Sequence, residues 1–174
     1  IEDQNGAIVE YANRKMICPD CPAPKTKTGS NQNRTVDSRF APRIISEENA
    51  FIVDSLMKEV VSNGTAKGAL QLNRSDLAGK TGTTNNYFDA WFTGYNPDVV
   101  TSVWVGFDSP QDLGKGESGA RAALPIWIDY MRVALKDRPD LKREIPEKIV
   151  ELRTNPISGL RATEEEPDAY LEFF

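Results

Sequence analysis

The stretch Gly79-Lys80-Thr81-Gly82-Thr83-Thr84 sets an ammonium, two hydroxyls on alternate residues and a position without a side chain side by side. That set suits a site for an anionic, peptide-like ligand. Lys80 would supply a positive field that favours a carboxylate and tunes neighbouring protons. The Thr81 and Thr83 hydroxyls are donors of fixed geometry for the same carboxylate. Gly82 would let an extended ligand lie close along a strand edge. An outward Thr83 N–H would be one donor of an oxyanion hole for acyl transfer.

Three readings compete. A phosphate-binding loop wants a glycine at position 74, where Arg74 stands, and a helix directly after the lysine. Here Gly82, Thr83, Thr84 and Asn85-Asn86 follow instead. A polar strand end without chemistry is the second reading, because a bare Lys-Thr-Gly is unspecific: Lys27-Thr28-Gly29-Ser30 repeats it in a Pro- and Asn-rich stretch. The third is the lysine wall of a serine acyl-transfer site. It requires a strand, antiparallel partners after it and a closing helix, which Lys80 has around it and Lys27 has not.

The elements that must position the stretch are legible in the pattern. Residues 77–81, 88–95 and 99–107 read as strands rich in aromatic and β-branched residues, with Asn96-Pro97-Asp98 as a tight turn. Strands this close in sequence pair antiparallel. Before them, residues 47–62 read as a helix with Ser46 as N-cap and Glu47 and Glu48 in its first turn. Phe51, Leu56 and Val60 would form its apolar stripe, with Val53 and Met57 close by, and Asn63-Gly64 stops it. After the Gly-rich loop 108–119, a second helix spans about 122–136, with Pro125 in its first turn and Leu124, Ile128, Met131 and Leu135 as its buried stripe. The class is α+β, an antiparallel sheet flanked by helices. Three regions follow: a hairpin turning at Asn5-Gly6 with a long polar loop (1–40), the helix-sheet-helix body (41–138), and a charged tail (139–174) with at most short structured pieces.

Composition narrows the chemistry. The 174 residues carry a net charge of −5 and no histidine. No basic cluster offers a nucleic-acid face. Without histidine, neither a Ser-His-Asp nor a Cys-His mechanism is available within the chain. Two cysteines, Cys18 and Cys21, cannot close a four-ligand zinc site, so no metal and no cofactor is expected. A stapled or free surface loop is the reading of Cys18-Pro19-Asp20-Cys21. No apolar run reaches membrane-spanning length. The start at Ile1 reads as a piece of a longer protein.

Several motifs in register then resemble the class A penicillin-binding proteins. They are Asn63-Gly64-Thr65-Ala66, the run from Arg74 to Thr84, Asp89-Ala90-Trp91-Phe92-Thr93-Gly94-Tyr95, Val103-Trp104-Val105-Gly106-Phe107-Asp108 and Ala123-Leu124-Pro125-Ile126-Trp127. The likeness runs from about 41 to 138. It implies a penicillin-binding transpeptidase or serine β-lactamase-like fold, of which this is the C-terminal portion. It also implies a peptidoglycan cross-linking enzyme acting through a serine acyl-enzyme, with Lys80 as the catalytic residue carried here and Thr81, Gly82 and Thr83 as substrate and oxyanion contacts. Implied partners are the D-Ala-D-Ala stem peptide, β-lactams as covalent inhibitors, and an upstream part of the same protein bearing the serine. The family also bears a glycosyltransferase and a membrane anchor, which implies the periplasmic face of the inner membrane.

The family's Ser-x-x-Lys and Ser-x-Asn motifs precede Lys-Thr-Gly by a long stretch. There is no Ser-x-Asn in this chain, and its single Ser-x-x-Lys string, Ser55-Leu56-Met57-Lys58, lies mid-helix, far from a helix N-terminus. It reads as a decoy, so the chain alone should not acylate. A β-lactamase-like hydrolase and a non-catalytic interaction module on the same scaffold are the alternatives.

Overall fold

The computed structural model describes residues 3–8, 16, 40, 41 and 43–174. The stretch 17–39, with Lys27, Cys18 and Cys21, lies outside the described residues. Ile1–Ser46 and Glu47–Phe174 are separate compact units.

In the first unit the expected two-residue turn is a three-residue one. Asp3 N donates to Ala7 O (2.8 Å) and Gly6 N to Asp3 O (3.0 Å), with Gly6 left-handed at φ +79°. The Asp3 carboxylate accepts from Asn5 N and Ala7 N at 2.8 and 2.9 Å. That carboxylate holds the chain in a turn followed by a left-handed glycine, the next commonest hairpin connection.

The second unit opens with α1, Glu47–Ser62. Its inward face is Phe51, Asp54 and Val61, while Val53 and Leu56 are exposed. The expected stripe is therefore partly wrong. Asp54 takes an inward place because Tyr95 Oη donates to it at 3.1 Å and the Lys58 ammonium lies 3.2 Å from it. Gly64 ends the helix for a steric reason rather than by a left-handed φ. A Cβ there would stand 2.8 Å from Val60 Cα, while Gly64 N and Asn63 N both donate to Glu59 O at 2.9 Å.

A 3-10 turn, Lys67–Leu72, leads to the sheet: β1 Ala78–Thr83, β2 Asp89–Tyr95 and β3 Val100–Gly106, antiparallel in the order β1-β2-β3. Asn96 makes the β2–β3 turn as expected, its Oδ1 accepting from Val99 N at 2.8 Å and Asp98 N at 3.2 Å. A π-helical turn, Gly119–Ala123, runs into α2, Leu124–Ala134, with Pro125 in its first turn. Leu124, Ile128, Met131 and Leu135 are all buried, and so is Trp127. Trp127 meets Phe92 edge to face at 4.9 Å and donates to Gly94 O at 3.2 Å. A Cβ on Gly94 would lie 2.7 Å from that indole, so the glycine is what admits it.

Within the tail, β4 Glu151–Thr154 and β5 Tyr170–Phe173 form a two-stranded antiparallel sheet. Phe173 packs on Phe51 of α1 edge to face at 5.0 Å. Glu166, from the acidic run, accepts from Asn155 and from Thr163 N between the two strands. The hydrogen bond from Asn155, and then that from Thr163, holds its carboxyl below the usual range. No helix among the described residues is long and apolar enough to cross a membrane.

Candidate active site

The Lys80 stretch lies on β1, at an edge of the three-stranded sheet. Pairing sets its faces. Lys80 stands opposite Thr93 and Gly82 opposite Trp91, whereas Thr81 faces Phe92 and Thr83 faces Ala90. Successive strand side chains alternate. Lys80 therefore emerges on the Trp91 face, and both threonine hydroxyls emerge together on the face that α2 covers through Phe92 and Trp127.

The backbone alternates as well. Thr84 N donates to Asp89 O at 3.1 Å across the β1–β2 ladder. One residue earlier, the Thr83 N–H points to the edge away from β2, and so does that of Thr81. Asp89 N in turn donates to Thr84 Oγ1 at 2.7 Å, which pins the end of the strand.

Each hydroxyl has a partner off the strand. Thr83 Oγ1 accepts the Gly119 N–H at 3.0 Å. Thr81 Oγ1 lies 2.8 Å from Thr65 Oγ1. Lys80 is exposed, and its Nζ donates to Thr81 O at 3.1 Å. Gly82 has a structural role: a Cβ there would come within 3.2 Å of Trp91 Cβ.

Two contributors escaped the sequence reading. Gly119 sits so close to the β1–β2 backbone that a Cβ would fall 2.2 Å from Trp91 O and 2.6 Å from Gly82 O. Its only sequence sign is one glycine in a Gly-rich loop. Thr65 lies in the motif Asn63-Gly64-Thr65-Ala66, but nothing in spacing ties position 65 to position 81.

Behind the strand, Arg74 and Asp76 fix where β1 begins. Arg74 Nε and Nη2 reach the two Asp76 oxygens at 2.9 and 2.7 Å. Asn96 Nδ2 and Leu141 N each donate to Asp76 Oδ2 at 3.2 Å, and Arg74 also donates to the Arg138 and Pro139 carbonyls. Burial by itself would push the Asp76 carboxyl up. The hydrogen bonds from Arg74, Asn96 and Leu141, with the charge of Arg74, hold it below the ordinary range. The same contact raises Arg74 further. A groove of about 400 Å³ lies beside this pair, between the 3-10 turn and α2, and none of its lining residues belongs to β1.

Ser55 and Lys58 are not brought together as a nucleophile and base. The Ser55 hydroxyl donates back to Ile52 O at 2.7 Å, and Lys58 pairs with Asp54. Among the described residues, no group of three or more His, Cys, Asp or Glu side chains could hold a metal ion.

A family profile described as the penicillin binding protein transpeptidase domain matches residues 42–127. The chain is 53% identical to penicillin-binding protein 1A of Pseudomonas aeruginosa over 140 residues, 80% of this chain and 17% of that protein. It is 51% identical to penicillin-binding protein 1A of Neisseria gonorrhoeae over 115 residues, 66% of this chain and 14% of that protein. The crystal structure of penicillin-binding protein 1A from Haemophilus influenzae superposes with a TM-score of 0.77 at 36% identity, covering 99% of this chain and 28% of that one. The chain thus spans less than a fifth of the length of the curated relatives it matches. An antiparallel sheet whose edge strand carries Lys80-Thr81-Gly82-Thr83, with a helix closing over it, agrees with these matches, and the chain belongs to the penicillin-binding transpeptidase family as a C-terminal portion of that domain.

Proposed function

We propose that this segment is the substrate-binding wall of a peptidoglycan DD-transpeptidase. The observation that carries the reading is the open edge of β1: Thr81 and Thr83 present both hydroxyls on one face, and the Thr83 N–H points away from β2. A stem peptide ending in D-Ala-D-Ala would add alongside β1, with Gly82 allowing close approach. Its terminal carboxylate would meet the Thr81 and Thr83 hydroxyls, with Lys80 supplying positive charge on the other face of the strand. As a serine attacks the scissile carbonyl, the developing oxyanion would take the Thr83 N–H. The C–N bond would then break, the terminal D-Ala leaving as the amine with the serine's proton. The acyl group would pass from the serine to an acceptor amine in cross-linking or to water in carboxypeptidase action, which frees the serine. A β-lactam carries a carboxylate and a strained amide, so it would enter the same edge and acylate the same serine.

The serine is not Ser55, whose proton is committed to Ile52 O. It belongs to a Ser-x-x-Lys element elsewhere in the intact protein, whose further parts would be a glycosyltransferase and an anchor at the periplasmic face of the inner membrane. A phosphate-loop role does not fit, because Lys80 sits inside a strand and not at the start of a helix.

Labelled penicillin acylation of the intact enzyme, with and without Lys80→Ala, tests this. The variant should acylate about 10²–10³-fold more slowly, the scale on which a single stabilising donor acts. Unchanged acylation would remove Lys80 from the site. Labelling of the 174-residue chain by itself would return Ser55 to candidacy.

A further inference from the structure

The connection between α1 and the sheet brings a third hydroxyl to the substrate strand. Thr65 Oγ1 is 2.8 Å from Thr81 Oγ1 across sixteen positions of sequence. Its neighbours hold it in place. Gly64 is pressed on Val60, and Ala66 is fully buried with its N–H on Val60 O at 2.9 Å. Thr65 itself is exposed.

A hydroxyl has one proton and two lone pairs. The Gly119 N–H fills an acceptor site of Thr83, which leaves the Thr83 proton free to turn outward. The Thr65–Thr81 pair shares one proton internally and has one to offer. If Thr81 donates to Thr65, Thr81 has no proton left for a ligand. If Thr65 donates to Thr81, the Thr81 proton is free. A carboxylate only accepts, so the second arrangement gives a chain of hydroxyls in which each bond polarises the next.

We propose that Thr65 is a positioning residue that turns the Thr81 hydroxyl toward the substrate carboxylate, the role Gly119 plays for Thr83 by its backbone. This rests on the reading of Thr81 as a carboxylate donor. Thr65 acts through Thr81 and need not touch the ligand.

The test compares acylation of the intact enzyme by a labelled penicillin and by its methyl ester, which lacks the carboxylate charge. The quantity read is the ratio of the two rates. Thr65→Val keeps the shape and removes the hydroxyl. It should lower the ratio about 5- to 10-fold, as for the loss of one hydrogen bond, with the ester rate nearly unchanged. Thr65→Ser should restore the ratio to within about 2-fold, because it returns the hydroxyl. Thr81→Val should lower the ratio by at least as much as Thr65→Val.

If Thr81→Val lowers the ratio and Thr65→Val leaves it at the wild-type value, the proposal is wrong and the reading of Thr81 stands. If Thr81→Val leaves the ratio unchanged, the reading of Thr81 is wrong and the proposal goes with it. Equal slowing of both compounds by Thr65→Val, not restored by Thr65→Ser, would make Thr65 a structural residue and overturn the proposal. A thermal melt of each variant accompanies the rates. If Thr65→Val does not fold, Thr65→Ala carries the same comparison.

Discussion

The two faces of one sheet are treated very differently. On one, Phe92 and Ala90 are fully buried, and Trp127 of α2 is fully buried against them. On the other, Trp91 and Trp104 face each other across β2 and β3, 6.0 Å apart and 43% and 44% exposed. Trp104 donates its indole N–H to Asp89 Oδ1 at 2.9 Å. Three tryptophans from one chain thus hold opposite stations. α1 meets the Trp91 face at Tyr95, and its own Val53 and Leu56 stay exposed. Lys80 emerges on this more open face, while Thr81 and Thr83 lie on the Phe92 side but outside its sealed part, Thr81 half-buried and Thr83 exposed. Close packing and exposed charge are separated by the alternation of a single strand.

The largest test of that contrast is Trp127→Ala, which should cost about 3–5 kcal/mol because it empties a site that nothing can refill. Trp104→Ala should cost less than about 1 kcal/mol, the range for half-exposed positions with one surface hydrogen bond. Urea unfolding of the intact protein, followed by the domain's own transition, measures both. A large loss at Trp104 would show that the open face is covered in the intact molecule.

A next smaller effect concerns what holds β1 against the sealed face. Asp76→Asn would remove the bidentate carboxylate from the Arg74 guanidinium, only 10% exposed, and leave it Asp140 at 3.4 Å. Breaking one side of a buried, bidentate pair costs about 3 kcal/mol, and Asp140 keeps the loss from exceeding that. The pH dependence has a definite sign. The folded Asp76 carboxyl titrates below its ordinary value of 3.8. Its contribution is therefore complete above about pH 4 and is lost as the pH falls through the depressed value. Wild type should lose stability in that acid window, and Asp76→Asn should show a flatter profile there. Melting temperatures from pH 2 to 6 would reveal a profile that stays unflattened, and that result would remove Asp76 from the acid response.

How much of this was legible depended on whether a residue's partner is local. The two helices, three strands and the Asn96 turn follow from periodicity and turn chemistry within a dozen residues. The α2 stripe was right because four apolar residues at helical spacing had no polar rival. The α1 stripe was partly wrong because Asp54 faces inward, held by Tyr95 and Arg143 from distant segments. Type and spacing placed Lys80, Thr81, Gly82 and Thr83 on one strand, and they lie on β1. Thr65 and Gly119 could not be placed beside them, since their hydrogen bonds to β1 span 16 and 36 positions. The tail's two-stranded pairing is non-local as well, and its charged sequence hid it.

The smallest effect sharpens the boundary between the two faces. Tyr95 lies at the end of β2 where α1 meets the otherwise open side, its hydroxyl donating to Asp54 Oδ1. Burial first, and then the charge of Asp54 and the hydrogen bond to it, push the Tyr95 phenol up to about 12. An unfolded tyrosine titrates near 10. Between those values the folded state holds a proton that the unfolded chain has released, so stability falls as pH rises from about 10 toward 12. Tyr95→Phe keeps the ring packing and removes both the proton and the hydrogen bond. It should cost about 1 kcal/mol at neutral pH and should weaken the alkaline decline. Asp54 retains Lys58 at 3.2 Å and Arg143 at 4.0 Å, which keeps that cost from growing. Ultraviolet titration of tyrosinate should show one fewer late-titrating phenol in the variant. If the late phenol persists, Tyr95 is open to water, and α1 does not seal even that end of the face on which Lys80 stands.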